Sequence, residues 1–224
     1  MSSIATRFGA EAAEPVQLHL TPALARRNRL STAFRPLLAI PHLVLVGGPV
    51  AGALSWAWRD DSMRHANWMA DGGALGAVAA LTAVIGWFAI VFVGRQPEGL
   101  WRLAAFYLRW RARAIAYMAL LRDEYPPFGD ALYPVSLMLA RPALPRDRLS
   151  VAFRLILAIP QLMALWAISI AWAMTTTVAW FSILITGRYP AALYDFAVGA
   201  LRWNLRVEAY LLLLSDRYPP FSLE

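Results

Sequence analysis

The chain has 224 residues, 59% of them apolar, and its mean hydropathy is positive. Soluble domains are usually about 45–50% apolar, so the excess indicates contact with lipid rather than a larger core. There is no cysteine, which excludes disulfides, thiolate metal sites and cysteine nucleophiles. The net charge of +7 comes from 21 arginines without a lysine. Because no nucleic-acid-binding module accompanies this charge, we expect no nucleic-acid partner and a basic face on the cytoplasmic side of a membrane.

The sequence repeats itself in two blocks. Residues 29–41 match residues 148–160 at ten of 13 positions, at an offset of 119. Residues 94–128 match residues 187–221 at 18 of 35 positions, at an offset of 93, and both blocks end in Tyr-Pro-Pro-Phe. The difference between the offsets means that the first copy carries 26 additional residues.

The fold class that we predict is a mainly α-helical integral membrane protein made of two tandem repeats. A tail at 1–14 precedes the first copy at 15–128 and the second at 129–224. Each copy is expected to contain a short strand, a membrane helical hairpin and an amphipathic interfacial helix.

The first predicted elements are two short strands, one at the start of each copy. Residues 16–20 and 135–139 both place apolar side chains at alternate positions, which is typical of β-strands. Because they occupy matched positions, we expect the two strands to pair across the copies.

The first copy continues with two uncharged runs, at 37–57 and 74–93, each long enough to cross about 30 Å of hydrocarbon as a helix. The loop at 58–73 has a net charge of −1, whereas residues 1–36 carry five arginines against two glutamates. Arginine is in excess before the hairpin and not in its loop. Because basic residues favour the cytoplasmic side of a membrane, both ends of this hairpin are predicted to lie in the cytoplasm. We therefore expect a multi-pass protein of the bacterial plasma (inner) membrane, with cytoplasmic N- and C-termini.

The membrane segment of the second copy is ambiguous. Residues 155–187 contain no charge, a run that is longer than one upright span and shorter than two. We favour a tight hairpin within about 150–186 that turns between Ser169 and Thr177. A single long span is the alternative.

A second helix is expected to follow each apolar run. Gly94 and Gly187 end the runs, and Pro97 and Pro190 suit the first turn of a new helix. We predict amphipathic helices at about 97–121 and 190–214 that lie on the cytoplasmic membrane surface.

The repeated arginines are the candidate binding residues. A guanidinium group presents five donors in a planar fork suited to phosphate, so matched arginines could form two basic grooves for anionic lipid head groups. The alternative is that they only orient the protein in the membrane. The six candidates are Arg35, Arg154, Arg109, Arg113, Arg202 and Arg206.

Two glycine seams are candidates for helix packing. Gly48 with Gly52, and Gly72 with Gly76, have the Gly-x-x-x-Gly spacing that lets helix backbones approach closely. We expect packing inside the first hairpin, with docking to a partner helix as the alternative. The three histidines lack metal-ligand spacing, so no metal or cofactor is expected. His42, matched by Gln161, is expected to make a packed polar contact.

Several strings of the second copy carry a family resemblance: Gly-Arg-Tyr-Pro at 187–190, Leu201-Arg202-Trp203, Arg206, Ala209-Tyr210 and Asp216-Arg-Tyr-Pro-Pro-Phe221. Together with Arg-Leu-Ser-x-Ala-Phe-Arg and Ala-Ile-Pro, they resemble a family of bacterial membrane proteins known as domain of unknown function 4389. The resemblance runs from about Pro15 to Phe221 as two copies and implies no activity. The first copy departs from it at Gln96 and by its 26 additional residues.

The function that we expect is that of a non-enzymatic scaffold or accessory subunit of a membrane complex, contacting anionic lipid on the cytoplasmic face. Its partner would be another membrane protein or a second copy of the chain. The alternative is a small lipid-handling or transport protein that uses the repeats, although the spans carry almost no polar lining. A membrane enzyme ranks third, because no acid, base and nucleophile converge in the sequence.

Overall fold

The computed structural model describes residues 14–24, 27–48, 72–129, 131–144 and 146–224. These residues form a mainly α-helical protein with one small sheet. The elements, in chain order, are β1 (Val16–Leu20), α1 (Arg29–Leu38), α2 (Ile40–Val46), α3 (Gly73–Phe88) with a π-helical continuation (Ala89–Val93), α4 (Glu98–Met118), β2 (Val135–Leu139), α5 (Arg148–Ala152), α6 (Arg154–Thr186) and α7 (Ala191–Leu211).

The two strands form an antiparallel ribbon, as the sequence predicts. Leu18 pairs with Leu137 at its centre, and these two residues occupy matched positions in the two copies. Since side chains alternate across a strand, Leu18 and Leu137 point toward the helices and are buried, whereas His19 is exposed. The ribbon packs with β1 on α7 and with β2 on α4.

Helices α4 and α7 form the centre of the core. The sequence predicts both of them at nearly these bounds, but as helices on the membrane surface. That placement requires correction: from Ala104 to Tyr117, α4 is almost entirely buried, and α7 is mostly buried from Tyr194 to Tyr210. The physical reason is that the ribbon packs on both helices from one side, while the long apolar helices pack on them from the other.

Helix α6 is one continuous helix of 33 residues. The favoured hairpin with a turn between Ser169 and Thr177 is therefore wrong, and the single-helix alternative describes this segment. Residues 169–177, where the turn is predicted, lack glycine and proline, and the hydroxyls of Thr175 and Thr177 donate to the carbonyls of Ala171 and Ala173 within the helix. At 1.5 Å per residue the helix is about 50 Å long.

The 26 additional residues of the first copy are inserted at a single point of the fold. Val46 ends α2 and Gly73 begins α3, and they match Leu165 and Trp166, which are consecutive residues inside α6. A Cβ on Gly47 would lie only 2.7 Å from the Cα of Gly72. A helix that is continuous in the second copy is thus divided at this point in the first.

The first predicted span needs a matching correction. The sequence predicts one helix over 37–57, but α2 ends at Val46, and Gly47 follows it with a φ of +71°. The remainder of that span, most of the predicted outer loop and Gly52 lie outside the described residues. The second predicted span, 74–93, coincides with α3 and its π-helical continuation.

Two long segments run antiparallel, side by side. The first long segment comprises α1, α2 and α3 with its π-helical continuation, and the second comprises α5 and α6. The guanidinium of Arg29 packs on Gly187, and that of Arg148 packs on Gly94, so each segment begins where the other ends. The indole nitrogens of Trp180 and Trp87 donate to the carbonyls of Thr32 and Val151, both at 2.9 Å.

Candidate functional site

Arg35 lies in a buried cluster beneath the end of α4. Its guanidinium donates to the carbonyls of Tyr117 (3.1 Å) and Arg122 (2.9 Å) and to the carboxylate of Asp123 (2.8 Å). It also lies 4.4 Å above the ring of Tyr117, a cation–π distance.

Arg154 has the same arrangement at the matched position. It donates to the carbonyls of Tyr210 (2.9 Å) and Ser215 (3.1 Å) and to Asp216 (2.6 Å), and it lies 4.4 Å above the Tyr210 ring. Arg35 and Arg154 are each 2% exposed. Both arginines are therefore held by the protein's own groups, which argues against the prediction that they bind lipid head groups.

A second arginine completes each cluster. Arg27 joins Arg35 on Asp123, and Arg146 joins Arg154 on Asp216. Arg27 and Arg146 also donate to the carbonyls of Leu120 and Leu213 respectively. These two leucines, at matched positions, are the non-glycine residues of the described chain with a positive φ (63° and 61°). Such a conformation costs about 1–3 kcal/mol, and it allows each helix end to turn its carbonyls toward the arginines.

The electrostatics of these clusters follow from their burial. Burial opposes ionisation of Asp216, but the hydrogen bonds and charges of Arg146 and Arg154 outweigh it and hold the pKa of Asp216 below its ordinary value. Burial likewise lowers the pKa of Arg27, against the favourable charge of Asp123. The clusters are thus ion-pair locks that tie the start of each long segment to the end of α4 or α7.

The other four predicted arginines lie along α4 and α7, outside the two clusters. Arg113 donates to the carbonyl of Gly129 (2.6 Å), and Arg206 donates to Glu14 (2.8 Å). Arg202 lines a groove between β1 and α7 with a volume of about 790 Å³. Arg109, at the position that matches Arg202, is half-buried. The structure therefore separates these four residues from Arg35 and Arg154 rather than assembling one lipid groove.

The described glycines of the two seams pack inside the chain. A Cβ on Gly72 or Gly76 would lie 3.0 or 2.9 Å from the hydroxyl of Tyr107 on α4. Gly48 is buried, and its carbonyl accepts a hydrogen bond from Arg111 (3.3 Å). All three residues thus contact α4, which lies outside the first hairpin, and close packing within that hairpin stays a prediction.

His42 and Gln161 make equivalent contacts. The indole of Trp110 donates to His42 Nδ1 (3.3 Å), and the indole of Trp203 donates to Gln161 Oε1 (2.8 Å). Gln161 also donates to the carbonyl of Pro219, within the second Tyr-Pro-Pro-Phe (2.6 Å). His42 makes a packed polar contact of the kind that the sequence predicts. Among the described residues, no three His, Asp or Glu side chains are grouped as metal ligands are.

One buried ion pair was not anticipated from the sequence. Arg111 on α4 donates to Glu208 on α7 (2.6 Å) and to the carbonyl of Val46. Burial raises the pKa of Glu208, and the charge of Arg111 opposes that rise. The matched positions hold Asn204 and Ile115, so this pair distinguishes the two copies. In the sequence, the only sign of this ion pair is that Arg111 and Glu208 have no charged residue at their matched positions.

Four exposed arginines at the ends of the long segments were also missed. Arg29 packs on Gly187, and Arg188 is the next residue after that glycine. In the same way, Arg148 packs on Gly94, and Arg95 is the next residue after it. Within the described part of the chain, none of the four has an acidic partner. We refer to Arg29 with Arg188, and Arg95 with Arg148, as the two end pairs. Their repetition at offsets of 119 and 93 was the signal in the sequence.

Exposed apolar side chains flank both end pairs. Leu30 (73% exposed) and Ile185 (73%) lie beside the first, and Leu149 (72%) and Phe92 (71%) lie beside the second. The near-equal exposures at matched positions give both ends of the long segments the same amphipathic character.

The long segments present a wide apolar surface. Among the described residues, two helices are long and apolar enough to cross a membrane, Gly73–Val93 and Arg154–Thr186. Only 22% and 28% of their most apolar stretches are buried within the protein. The outward side chains are large and apolar, among them Val78, Leu81, Val84, Phe88, Met163, Met174, Val178 and Phe181.

A sequence profile described as domain of unknown function (DUF4389) matches residues 72–129 and 148–222, which together are more than half of the chain. The chain belongs to this family. The two matched stretches contain both Tyr-Pro-Pro-Phe motifs and both aspartates of the buried clusters. No curated protein and no solved structure matches the chain.

Proposed function

We propose that this chain is a non-enzymatic membrane protein that serves as a scaffold or accessory subunit and holds anionic lipid at its two end pairs. The observation that supports this most strongly is the apolar outer surface of α3 and α6, which is far larger than a soluble monomer exposes. Hydrocarbon is the medium that covers such a surface at least cost.

The end pairs are better placed for lipid than the arginines first predicted. Each one combines two guanidinium groups that lack an acidic partner in the described chain with flanking side chains that prefer hydrocarbon. That combination matches a phospholipid, whose phosphate lies directly beside its acyl chains, better than it matches a free anion.

We also propose that the two copies are a pseudo-symmetric pair about an axis through Leu18 and Leu137, in a bacterial plasma membrane with cytoplasmic termini. The matched ion-pair locks, tryptophan hydrogen bonds and end pairs support this arrangement. It provides two lipid sites, each with one arginine from each copy.

The test is native mass spectrometry of the protein after gentle extraction, counting bound anionic phospholipid. We expect two lipids on the wild type and one on the double variant Arg29→Gln with Arg188→Gln. The matched control is Arg102→Gln with Arg141→Gln, which removes the same charge from two exposed arginines that pair with Glu98. It should retain both lipids. Equal retention by both double variants would count against the end pairs.

The same spectra test the scaffold role. A second protein bound at a fixed ratio supports an accessory subunit. A lone chain that carries only lipid favours the second candidate, lipid handling. That candidate is supported by an apolar groove of about 300 Å³ lined by Ala39 and Leu43 on one side and Thr176 and Trp180 on the other.

A further inference from the structure

The polar and apolar surfaces lie on opposite sides of the molecule. The two long segments form one layer, α4 and α7 pack on it, and the ribbon packs on α4 and α7. The outer face of the first layer is apolar, whereas the ribbon side carries His19, Gln17 and Arg202. The polar and apolar surfaces are therefore separated in the direction perpendicular to the helix axes, and not along those axes.

The length of α6 does not fit an ordinary span. It is about 50 Å long and carries no charge after its first residue. Enclosing it in about 30 Å of hydrocarbon would require a tilt of about 50°, beyond the range of roughly 0–40° that spanning helices adopt.

A spanning α6 would also carry the ribbon into the bilayer. Helix α7 runs antiparallel along α6, because Trp203 bonds Gln161 and packs with Leu165, while Ala191 follows the end of α6. The ribbon lies against the middle of α7, near Val198 and Arg202. Spanning would therefore place a two-stranded sheet with open edges near the bilayer centre, where its unpaired backbone groups find no water.

The arginines give a third, independent argument. The end pairs mark the two ends of α6, since Arg148 precedes it and Arg188 follows it. A spanning orientation puts one end pair on each side of the membrane, against the bias of basic residues toward the cytoplasm. An orientation in the membrane plane puts both pairs at the same depth, on the same side.

We propose that both long segments lie in the plane of the membrane, immersed in the cytoplasmic leaflet, and that none of the described helices crosses it. A helix layer about 10 Å thick fits the roughly 15 Å of hydrocarbon in one leaflet. The end pairs then lie at the head groups, and the ribbon faces the cytoplasm. This inference rests on the membrane location proposed above and replaces the predicted multi-pass arrangement for the described residues.

The absence of cysteine allows a direct test. Single-cysteine variants Ser31→Cys and Ser150→Cys, at matched positions, mark the two ends of α6, because Ser31 adjoins Arg29 on Gly187. His19→Cys marks the ribbon, and Met174→Cys marks the middle of the apolar face. Each full-length variant is treated with a membrane-impermeant maleimide in spheroplasts and in inside-out vesicles, with the cysteine-free wild type as background.

We expect the variants at Ser31, Ser150 and His19 to be labelled only in inside-out vesicles, and the Met174 variant only after detergent is added. Labelling of the Ser31 and Ser150 variants from opposite sides would overturn the in-plane arrangement while leaving the membrane location intact. If the Met174 variant reacts as fast as the His19 variant without detergent, the membrane location itself fails.

Polarised infrared spectroscopy of the wild type in oriented bilayers provides a second readout that needs no substitution. Because α4 and α7 run along the long segments, almost all of the described helices would lie in one plane, and the amide I dichroism should be dominated by in-plane helices. The dichroism of helices along the membrane normal would refute the proposal.

Discussion

Replacing Asp216 by asparagine tests whether the buried arginine clusters hold the fold together. Asp216 is shared by Arg146 and Arg154, whose side chains are each only 2% exposed. Removing one member of a buried ion pair typically costs about 3–5 kcal/mol, because the remaining charge stays buried without compensation. Since Asp216 is itself 25% exposed, we expect the lower end, about 3 kcal/mol. For a chain of this size that corresponds to a fall in Tm of roughly 6–12 °C.

Glu98→Gln is the matched control. Glu98 is also a carboxylate shared by two arginines, Arg102 and Arg141, but all three side chains are at least half exposed. Water screens exposed ion pairs, so they contribute little to stability, and the Tm of this variant should change by at most a few degrees. The assay is thermal unfolding of both variants in one detergent, followed by near-UV circular dichroism. Equal losses in the two variants would refute the claim that burial makes the Asp216 cluster stabilising.

The wild type and the Asp216→Asn variant also give a pH prediction. Because the folded pKa of Asp216 lies below its ordinary value of 3.8, the ionised carboxylate stabilises the fold above that value. The contribution is lost as the pH falls through the lower folded pKa. The wild type should therefore lose stability below about pH 4, and the Asp216→Asn variant should lack this part of the acid transition. Parallel acid curves would show that Asp216 does not carry it.

Two further substitutions test local features by thermal unfolding. Gly94→Ala should destabilise the protein by at least about 1 kcal/mol, because Gly94 has a φ of +82° and a Cβ there would lie 2.9 Å from Arg148. Gly99→Ala, in the first turn of α4 with nothing within 4 Å of its Cβ position, should be neutral or stabilising; equal losses would contradict the backbone argument. Gln161→Leu should cost about 2–3 kcal/mol by leaving the Trp203 indole unpaired, whereas Gln161→His, which restores the first copy's residue, should cost less. The reverse order would show that packing matters more than the hydrogen bond.

Features set by local pattern were predicted well. Alternation of side chains predicts both strands, and the uncharged run at 74–93 predicts α3 with its continuation. Gly94 and Gly187 end their helices in the left-handed conformation, as glycines after an apolar run are expected to do. Each of these features depends on neighbours within a few residues along the chain.

The arginines show what the local sequence pattern cannot predict, which is whether a side chain is buried or exposed. The sequence marks Arg35 and Arg154 as repeated and basic, which suits a lipid site and a buried ion pair equally well. Their partner aspartates lie 88 and 62 residues away. Hydropathy could not distinguish a tight hairpin from a continuous α6 either, because an uncharged run is compatible with both.

The sequence by itself determined that the chain is a two-copy member of its family, mainly helical, rich in apolar surface and basic. Those properties are carried by composition and by matched positions. Only the tertiary structure decided which arginines are locked inside and which four remain exposed at the ends of the long segments. It also decided that those segments run antiparallel beneath α4, α7 and the ribbon. The physical reason is that burial and charge pairing are settled by contacts between residues far apart in the chain, and the same guanidinium serves as a lock or as a surface charge according to what folds over it.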